Sequence, residues 1–447
     1  MSAVQVPASS SSDAERIDAR LQAAIAAHRG HDDAAAEAGY RAVLAVDPRQ
    51  PDALHFLGVL RHEAGDSDAA IELIGRALQR APRHADIHNN LGNIHKERGD
   101  AITAESCYRR ALAFQPSHIL ALGNLAVVLD AQGRFDDAYN AYGLLLTAAP
   151  AYAHGYYLLG LFLRNHAREP GHAVQAAACL RRAFELDPAN LRALSALGNV
   201  LYMLGEHAQA RTVYSDWLAR DPASALARHM LAACGGAEMP ERAGDTYVRQ
   251  LFDAFASSFD EQLLHNLDYR APQLLCDALA RSLDGRNGLD VLDAGCGTGL
   301  CAPLMRGWAR RLEGVDLSKG MLDQARRRGG YDALVEAELT AHLEASAGAF
   351  DVVASADTLV YFGDLHRVCA AAFSALRVDG RFGFSVEALD TDGFDLGPSG
   401  RYRHGRDHVG AALAAAGFVD IDVASQALRN ESGAPVQGWV VTARRGA

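Results

Sequence analysis

This sequence has no long apolar run, no paired-cysteine motif and no cluster of histidines with cysteines. No stretch is apolar for the length a membrane helix requires. The opening MSAVQVPASSSSDAER puts no Lys or Arg ahead of an apolar core. The expectation is therefore a cytoplasmic chain with no signal peptide and no membrane contact, behind a disordered lead at 1–16. The cysteines are Cys107, Cys179, Cys234, Cys276, Cys296, Cys301 and Cys369, an odd number with no CxxC pair, which reads as reduced thiols. The 18 histidines are spread mostly over the front half and form no cluster with the cysteines, so no metal site is expected. Positive charge is short as well. Lys and Arg number 43 against 55 Asp and Glu, a net charge of −12 that phosphate backbones would repel, so no nucleic-acid partner is expected. Few aromatics beside abundant Ala and Leu fit a chain rich in helix, and 447 residues allow two or three domains.

What is present begins with a period. Pro48, Pro82, Pro116, Pro150, Pro188 and Pro222 are spaced by 34, 34, 34, 38 and 34 residues. A glycine precedes each of the last five by 17 residues, at Gly65, Gly99, Gly133, Gly171 and Gly205, where a tight turn between two helices needs positive φ. Ala36, Ala70, Ala104, Ala138, Ala176 and Ala210 mark close helix crossings. Leu57, Leu91, Leu125, Leu159 and Leu197 supply a buried stripe on the first helix of each pair. LHFLGVLRHEAGDSDAAIELIGRALQRAP and IHNNLGNIHKERGDAITAESCYRRALAFQP resemble the tetratricopeptide repeat, in six units over about residues 17–224. The first unit is degenerate, and the fifth is widened by four residues around Arg168 to His172. The resemblance implies a superhelix whose concave face receives a protein or peptide. Asn90, Asn93, Asn124 and Asn199 are candidate contacts, although amides at such places also merely face solvent. His55, His62, His88 and His95 share that surface.

After Pro222 the period decays, and CGGAEMPERAGD has the Gly and Pro content of a boundary. Tyr247, Leu251, Phe255 and Phe259, with Phe252 beside them, then form an aromatic helical face that either covers a ligand or packs a core. At Leu289 the pattern changes to LDVLDAGCGTGL, an apolar strand running into a glycine loop and a helix beginning near Leu300. Gly295, Gly297 and Gly299 permit close backbone approach to a ligand, and the helix N-terminus favours an anion. RLEGVDLS, about twenty residues on, ends a second strand at Asp316, whose carboxylate suits two ribose hydroxyls. The loop is GxGxG rather than GxGxxG. Asp293, two residues before its first glycine, would repel a pyrophosphate but suits the ammonium of S-adenosylmethionine.

These motifs resemble the class I S-adenosylmethionine-dependent methyltransferases. The resemblance implies strand three at DALVEAEL, with Glu338 and Leu339 at the adenine-contacting position, where the family normally has Asp followed by an apolar residue. It implies strand four and its loop at FDVVASADTLVYFGDL, with Asp357 beside the methyl-transfer centre and Tyr361 and Phe362 walling it. RVDGRFGFSVEAL gives strand five, and GFVDIDVASQ with VQGWVVTARR the closing antiparallel hairpin of a seven-stranded Rossmann-like α/β sheet. Leu317 and Met321 would pack on adenine and ribose. Cys296 belongs to the cofactor loop, and its thiol, like that of Cys301, reads as packing. More narrowly, YVRQLFDAFASSFDEQL, ADTLVYFGDL, FSVEA, SGRYRH and LRNESGAPVQG resemble bacterial methyltransferases with tetratricopeptide repeats before the catalytic domain, a group whose acceptor the resemblance leaves open. The expected architecture is multidomain: an all-α repeat array at 17–234, a linker and helical lid at 235–285, and the methyltransferase domain at 286–447.

GPSGRYRHGRDH concentrates Arg401, Tyr402, Arg403, His404, Arg406 and His408 on the acceptor side. His404, Tyr402 and Tyr361 are the candidate catalytic residues, and His366 is a weaker one. The chain lacks a [DNS]PP[YFW] motif after strand four and a Pro-Cys nucleophile, which disfavours nucleic-acid bases as acceptors. Three functions stay open: O- or N-methylation of a protein or peptide recruited by the repeats, methylation of a small metabolite or glycan with the repeats serving assembly, and a scaffold with a vestigial site.

Overall fold

The computed structural model describes residues 9–166, 170–256, 259–261, 268–397, 399–431 and 434–447. The chain divides into two compact units, Met1–Val200 and Leu201–Ala447.

In the first unit, helices come in antiparallel pairs: Ser9–Arg29 with Asp33–Val46, Pro51–Glu63 with Ser67–Arg80, Ala85–Glu97 with Ala101–Phe114, Ile119–Ala131 with Phe135–Ala148, and Ala153–Asn165 with Pro170–Leu186. Ala36, Ala70, Ala104, Ala138 and Ala176 are all fully buried, as close helix crossing requires. The glycines after Leu57, Leu91 and Leu159 on the first helices serve the same end. A Cβ at Gly92 would lie 2.6 Å from the Tyr108 ring, and one at Gly160 would lie 2.6 Å from Leu180. Gly65 and Gly99 take φ of 88° and 81°, and the next residue, Asp66 or Asp100, caps the second helix through its carboxylate.

Three expectations change here. The first helix starts at Ser9, so 9–16 is helical rather than a disordered lead; residues 1–8 lie outside the described ones. Gly171 is not in a left-handed turn but inside the helix Pro170–Leu186, because the four extra residues of that unit move the turn upstream. The bulge placed around Arg168 to His172 falls partly on 167–169, outside the described residues. The asparagines are also less available than a free recognition row. Asn90 bonds His55 at 2.9 Å and Asn124 donates to Asn89 at 3.0 Å, which ties neighbouring repeats together, while Asn93 accepts from the Tyr108 hydroxyl at 2.9 Å within its own helix pair. Asn199 is engaged too.

The second unit opens with the end of helix Leu191–Met203, then His207–Arg220 and Ala225–Ala233. Helix Asp245–Phe255 and a short turn at Phe259–Glu261 follow, and helix Ala271–Leu283 then packs on the sheet. The strands are β1 (Leu289–Ala294), β2 (Ala309–Asp316), β3 (Ala333–Glu336), β4 (Phe350–Ser355), β5 (Leu376–Leu389), β6 (Phe394–Leu396), β7 (Tyr402–Gly405), β8 (Phe418–Glu431) and β9 (Ala434–Arg445). The parallel order is β3-β2-β1-β4-β5, and β9 runs antiparallel between β5 and β8. β1 is buried at all six positions, as a central parallel strand must be. The sheet has nine strands rather than the expected seven. The additional two, β6 and β7, form a short hairpin that joins the outer end of β5 through Glu387–Leu389. That hairpin contains part of the segment expected to be a loop, because Tyr402 and His404 alternate inward as a strand requires. The chain reverses direction across the sheet between β1 and β4, which opens a crevice at their carboxyl ends. Among the described residues no helix is long and apolar enough to cross a membrane.

Candidate active site

That crevice is a cleft lined by Gly295, Cys296, Gly297, Asp316, Leu317, Glu338 and Leu339 at one end and by Asp357, Thr358, Tyr361, Phe362, Arg401 and Arg429 at the other. Phe252, Phe259 and Tyr269 line it as well. At the first end, each strand delivers its residue at its carboxyl terminus. Gly295, Gly297 and Gly299 have φ of 81°, 53° and 86°. A Cβ on Gly295 would sit 2.2 Å from the Thr358 hydroxyl, so glycine is required there. Asp316 is held by two backbone amides, Gly297 to Oδ2 and Ser318 to Oδ1, both at 2.8 Å. Each oxygen keeps a lone pair for a further donor. Burial raises its pKa despite those amides.

Four expected cofactor contacts lie elsewhere or are otherwise engaged. Asp293 does not line the cleft: it is buried behind the glycine loop, where its carboxylate accepts from the Tyr331 hydroxyl at 2.6 Å. Burial, with the Asp316 charge beside it, pushes its pKa up to about 7. Gly299 sits against Tyr331, and Met321 is packed on the inner face of helix Lys319–Arg328; neither lines the cleft. Glu338 does line it, but its carboxylate accepts from the amides of Thr340 and Ala341 and so caps helix Leu339–Glu344. The helix expected near Leu300 is only Ala302–Met305, interrupted before Trp308, so its dipole adds little to anion binding. Cys296 and Cys301 are buried and their thiols are pushed well up in pKa, led by burial for Cys296 and by the Cys276 hydrogen bond for Cys301; this agrees with packing.

At the other end, Arg429 is 3% exposed and meets Asp357 at 2.7 Å, Glu387, and Glu431 at 3.3 Å. Arg401 meets Glu387 at 2.6 Å through Nε and Glu431 at 2.5 Å through Nη2. Burial alone would lower the Arg429 pKa, but the three carboxylates outweigh it and hold the guanidinium charged. Asp357 takes φ of 55°, and its amide donates to Ser385 Oγ. Burial pushes the Tyr361 hydroxyl up to about 12, so it is a neutral donor near pH 7. Among the described residues, Nη1 of Arg401 has no protein partner. Tyr402 and His404, the other two catalytic candidates, do not line the cleft. The Tyr402 hydroxyl donates to the Pro240 carbonyl at 2.7 Å, and His404 Nε2 bonds the carbonyls of Phe362 and Gly363. Both side chains are fully buried outside the cleft, and burial pushes the His404 pKa down to about 4. His366 is half-exposed and paired with Asp364.

The aromatic face divides. Phe252 and Phe259 cover the cleft, Tyr247 is core, and Phe255 is exposed. Asp253 accepts from Ser318 Oγ at 2.5 Å and from the Gly320 amide, while Asp260 accepts from Thr298 Oγ1 at 2.5 Å and pairs with Arg328. Those two acids fasten the segment over the glycine loop. Arg429 and Tyr331, which sequence reasoning missed, have their buried carboxylate partners 42 and 72 residues away for Arg429 and 38 residues away for Tyr331, and Glu431, two residues from Arg429, gives no sign of them.

A family model described as a methyltransferase domain matches residues 292–384, and tetratricopeptide-repeat models match 21–85, 61–119, 89–154 and 167–234. The chain joins tetratricopeptide repeats to a methyltransferase domain. The methyltransferase domain is 39% identical to methyltransferase-like protein 27 of Homo sapiens over 105 residues, 23% of this chain and 42% of that protein. It is 34% identical to the malonyl-[acyl-carrier protein] O-methyltransferase of Geobacter sulfurreducens over 154 residues, 30% of this chain and 57% of that protein. The match thus spans about half the length of these curated relatives. A solved S-adenosylmethionine dependent methyltransferase from Mesorhizobium loti aligns with 38% of the chain and 96% of its own, at 25% identity and a TM-score of 0.30.

S-adenosylmethionine is the cofactor of this methyltransferase domain. The residues at the first end of the cleft fit it: a glycine cradle that a Cβ would fill, two free lone pairs on the buried Asp316, and the apolar Leu317 and Leu339 where a base would lie.

Proposed function

We propose that the methyltransferase domain transfers a methyl group from S-adenosylmethionine to a carboxylate oxygen, and that the repeats bind the protein carrying that acceptor. The observation that carries this reading is Nη1 of Arg401, unpaired among the described residues and placed beside the neutral Tyr361 hydroxyl at the end of the cleft away from Asp316. A guanidinium and a hydroxyl donor hold an anionic oxygen in place. An amine acceptor would arrive protonated and need a base. Among the described residues neither His nor Lys lines the cleft, and Asp357 is tied to Arg429.

When bound, S-adenosylmethionine supplies a methyl group on a sulfonium: the carboxylate oxygen forms the new O–C bond, the C–S bond breaks, its electron pair stays on sulfur, and no proton moves. The chain's own task is alignment and water exclusion. Phe252, Phe259 and Tyr361 close the cleft, Arg401 orients the acceptor, and Arg429 keeps Asp357 and Glu387 from repelling it. The curated relatives support the reading: the Geobacter protein is named for O-methylation of a malonyl group carried on a protein. Tetratricopeptide repeats mark protein–protein interaction, which supports a carried acceptor.

The test is methyl transfer from methyl-labelled S-adenosylmethionine to the malonyl thioester of pantetheine, beside an unblocked lysine peptide. A base-labile label on the thioester is expected. A base-stable label on the peptide, with none on the thioester, overturns the carboxylate reading.

A further inference from the structure

The helix Ala225–Ala233 lies within the span that the repeat period assigns to the array, yet it is packed into the second unit beside the acceptor end of the cleft. Its His229 is 4% exposed and donates from Nε2 to the carbonyl oxygen of Gly400 at 2.8 Å. The same imidazole stacks on Tyr247, with ring centroids 4.1 Å apart. Gly400 has φ of 75°, and a Cβ there would stand 2.7 Å from the Tyr247 hydroxyl and 3.1 Å from the Met230 sulfur. The backbone is therefore pressed directly onto this helix at the residue before Arg401. Burial lowers the His229 pKa, so the ring is neutral and its Nε2 proton is committed to Gly400.

A second seam runs beside the first. The Ala243 amide donates to the Tyr361 carbonyl at 2.8 Å, and the Gly363 and Asp364 amides donate to the Glu241 carbonyl at 2.8 and 3.0 Å. Ala232, Ala243, Tyr247 and Tyr402 share one apolar cluster. Both acceptor-side donors, Arg401 and Tyr361, thus have their backbones fixed by the segment that ends the repeats and not by the sheet alone.

We propose that this last helix forms a supporting wall behind the acceptor site, outside the cleft lining, with His229 as the positioning residue that sets Arg401 through the Gly400 carbonyl. The proposal rests on the reading that Arg401 holds an anionic acceptor. Two carboxylates hold the Arg401 guanidinium through Nε and Nη2 and so set its plane, while the backbone anchor at Gly400 sets where the side-chain stem delivers that group and its remaining Nη1. A shift of the loop by a fraction of an ångström would spoil the alignment that an in-line displacement needs. The cofactor end, built by β1 to β3, would be left as it is.

The test uses the full chain with His229→Ala, His229→Gln and Gly400→Ala, the last of which forces the loop off the helix. The measurements are KM and kcat with the malonyl thioester of pantetheine, the affinity for S-adenosylhomocysteine, and hydrogen exchange of the amides at Arg401–Gly405. His229→Ala and Gly400→Ala should each raise KM at least tenfold and speed exchange at those amides, with S-adenosylhomocysteine affinity within twofold of the parent. His229→Gln, whose amide can still donate to Gly400, should recover most of the loss. An unchanged KM, or a parallel fall in S-adenosylhomocysteine affinity, overturns the proposal. If the parent chain does not turn over the thioester, the carboxylate reading fails by itself and exchange decides the wall. Faster exchange confined to Arg401–Gly405 supports it, and unchanged or chain-wide exchange overturns it.

Discussion

The two ends of the cleft are built in opposite ways. At the cofactor end, Gly295–Gly297, Asp316 with Leu317, and Glu338 with Leu339 each follow the carboxyl end of one parallel strand, so strand, turn and ligand contact form one short sequence phrase. At the acceptor end, Tyr269, Asp357, Tyr361, Arg401 and Arg429 come from separate elements between residues 269 and 429, joined by a buried network of two guanidiniums and three carboxylates. The first end is a local consequence of the fold. The second exists only once β5, β7, β8 and the Asp357 turn have assembled, so its residues carry stability as well as recognition.

Arg429→Met should show that difference most strongly. It leaves Asp357 buried without its cation and Glu387 with Arg401 alone, a loss on the order of 3–5 kcal/mol. Urea unfolding would measure it, and a loss under about 1 kcal/mol would mean the network is not structural. Asp293→Asn should act in the opposite direction, and with pH. The Asp293 pKa is raised from 3.8 to about 7, so its stabilising contribution is complete below the unfolded value and is lost as pH rises through the folded one. The asparagine, still able to accept from Tyr331, should therefore stabilise the domain by about 2–4 kcal/mol at pH 8 and have little effect at pH 4. Thermal unfolding at the two pH values checks this, and an equal gain at both would remove the titration argument. Asp316→Ala should be the smallest change and a pure binding one. Loss of two hydroxyl contacts should weaken S-adenosylhomocysteine by about 1–3 kcal/mol in calorimetry, with unfolding little altered. A large stability loss there would erase the contrast between the ends.

Legibility from sequence follows the same division. The repeat period, the small residues at helix crossings and the left-handed glycines are set by contacts between near neighbours, so a single chain displays them. Gly171 departs because four inserted residues moved its turn, which the 34-residue register alone does not reveal. The glycine loop and the strand ending at Asp316 were legible for the same local reason, whereas the Asp293 carboxylate is engaged by the Tyr331 hydroxyl, 38 residues away, which no local pattern records. His404 and Tyr402 look like catalysts in a polar segment. Pairing of that segment as β7 turns both inward, and each then satisfies a backbone carbonyl.

By itself, the sequence determined a repeat array, the order of strand, glycine loop and strand-end acid, and hence the methyl donor, because each of these rests on steric and hydrogen-bonding rules that act within a few residues. The tertiary structure alone decided which charges meet at the acceptor end, that Arg401 rather than His404 faces the cleft, and that the last repeat helix presses on the loop before it. Those outcomes depend on buried ions finding partners across 42 and 72 residues of chain, a choice governed by desolvation in the assembled core that no local pattern records.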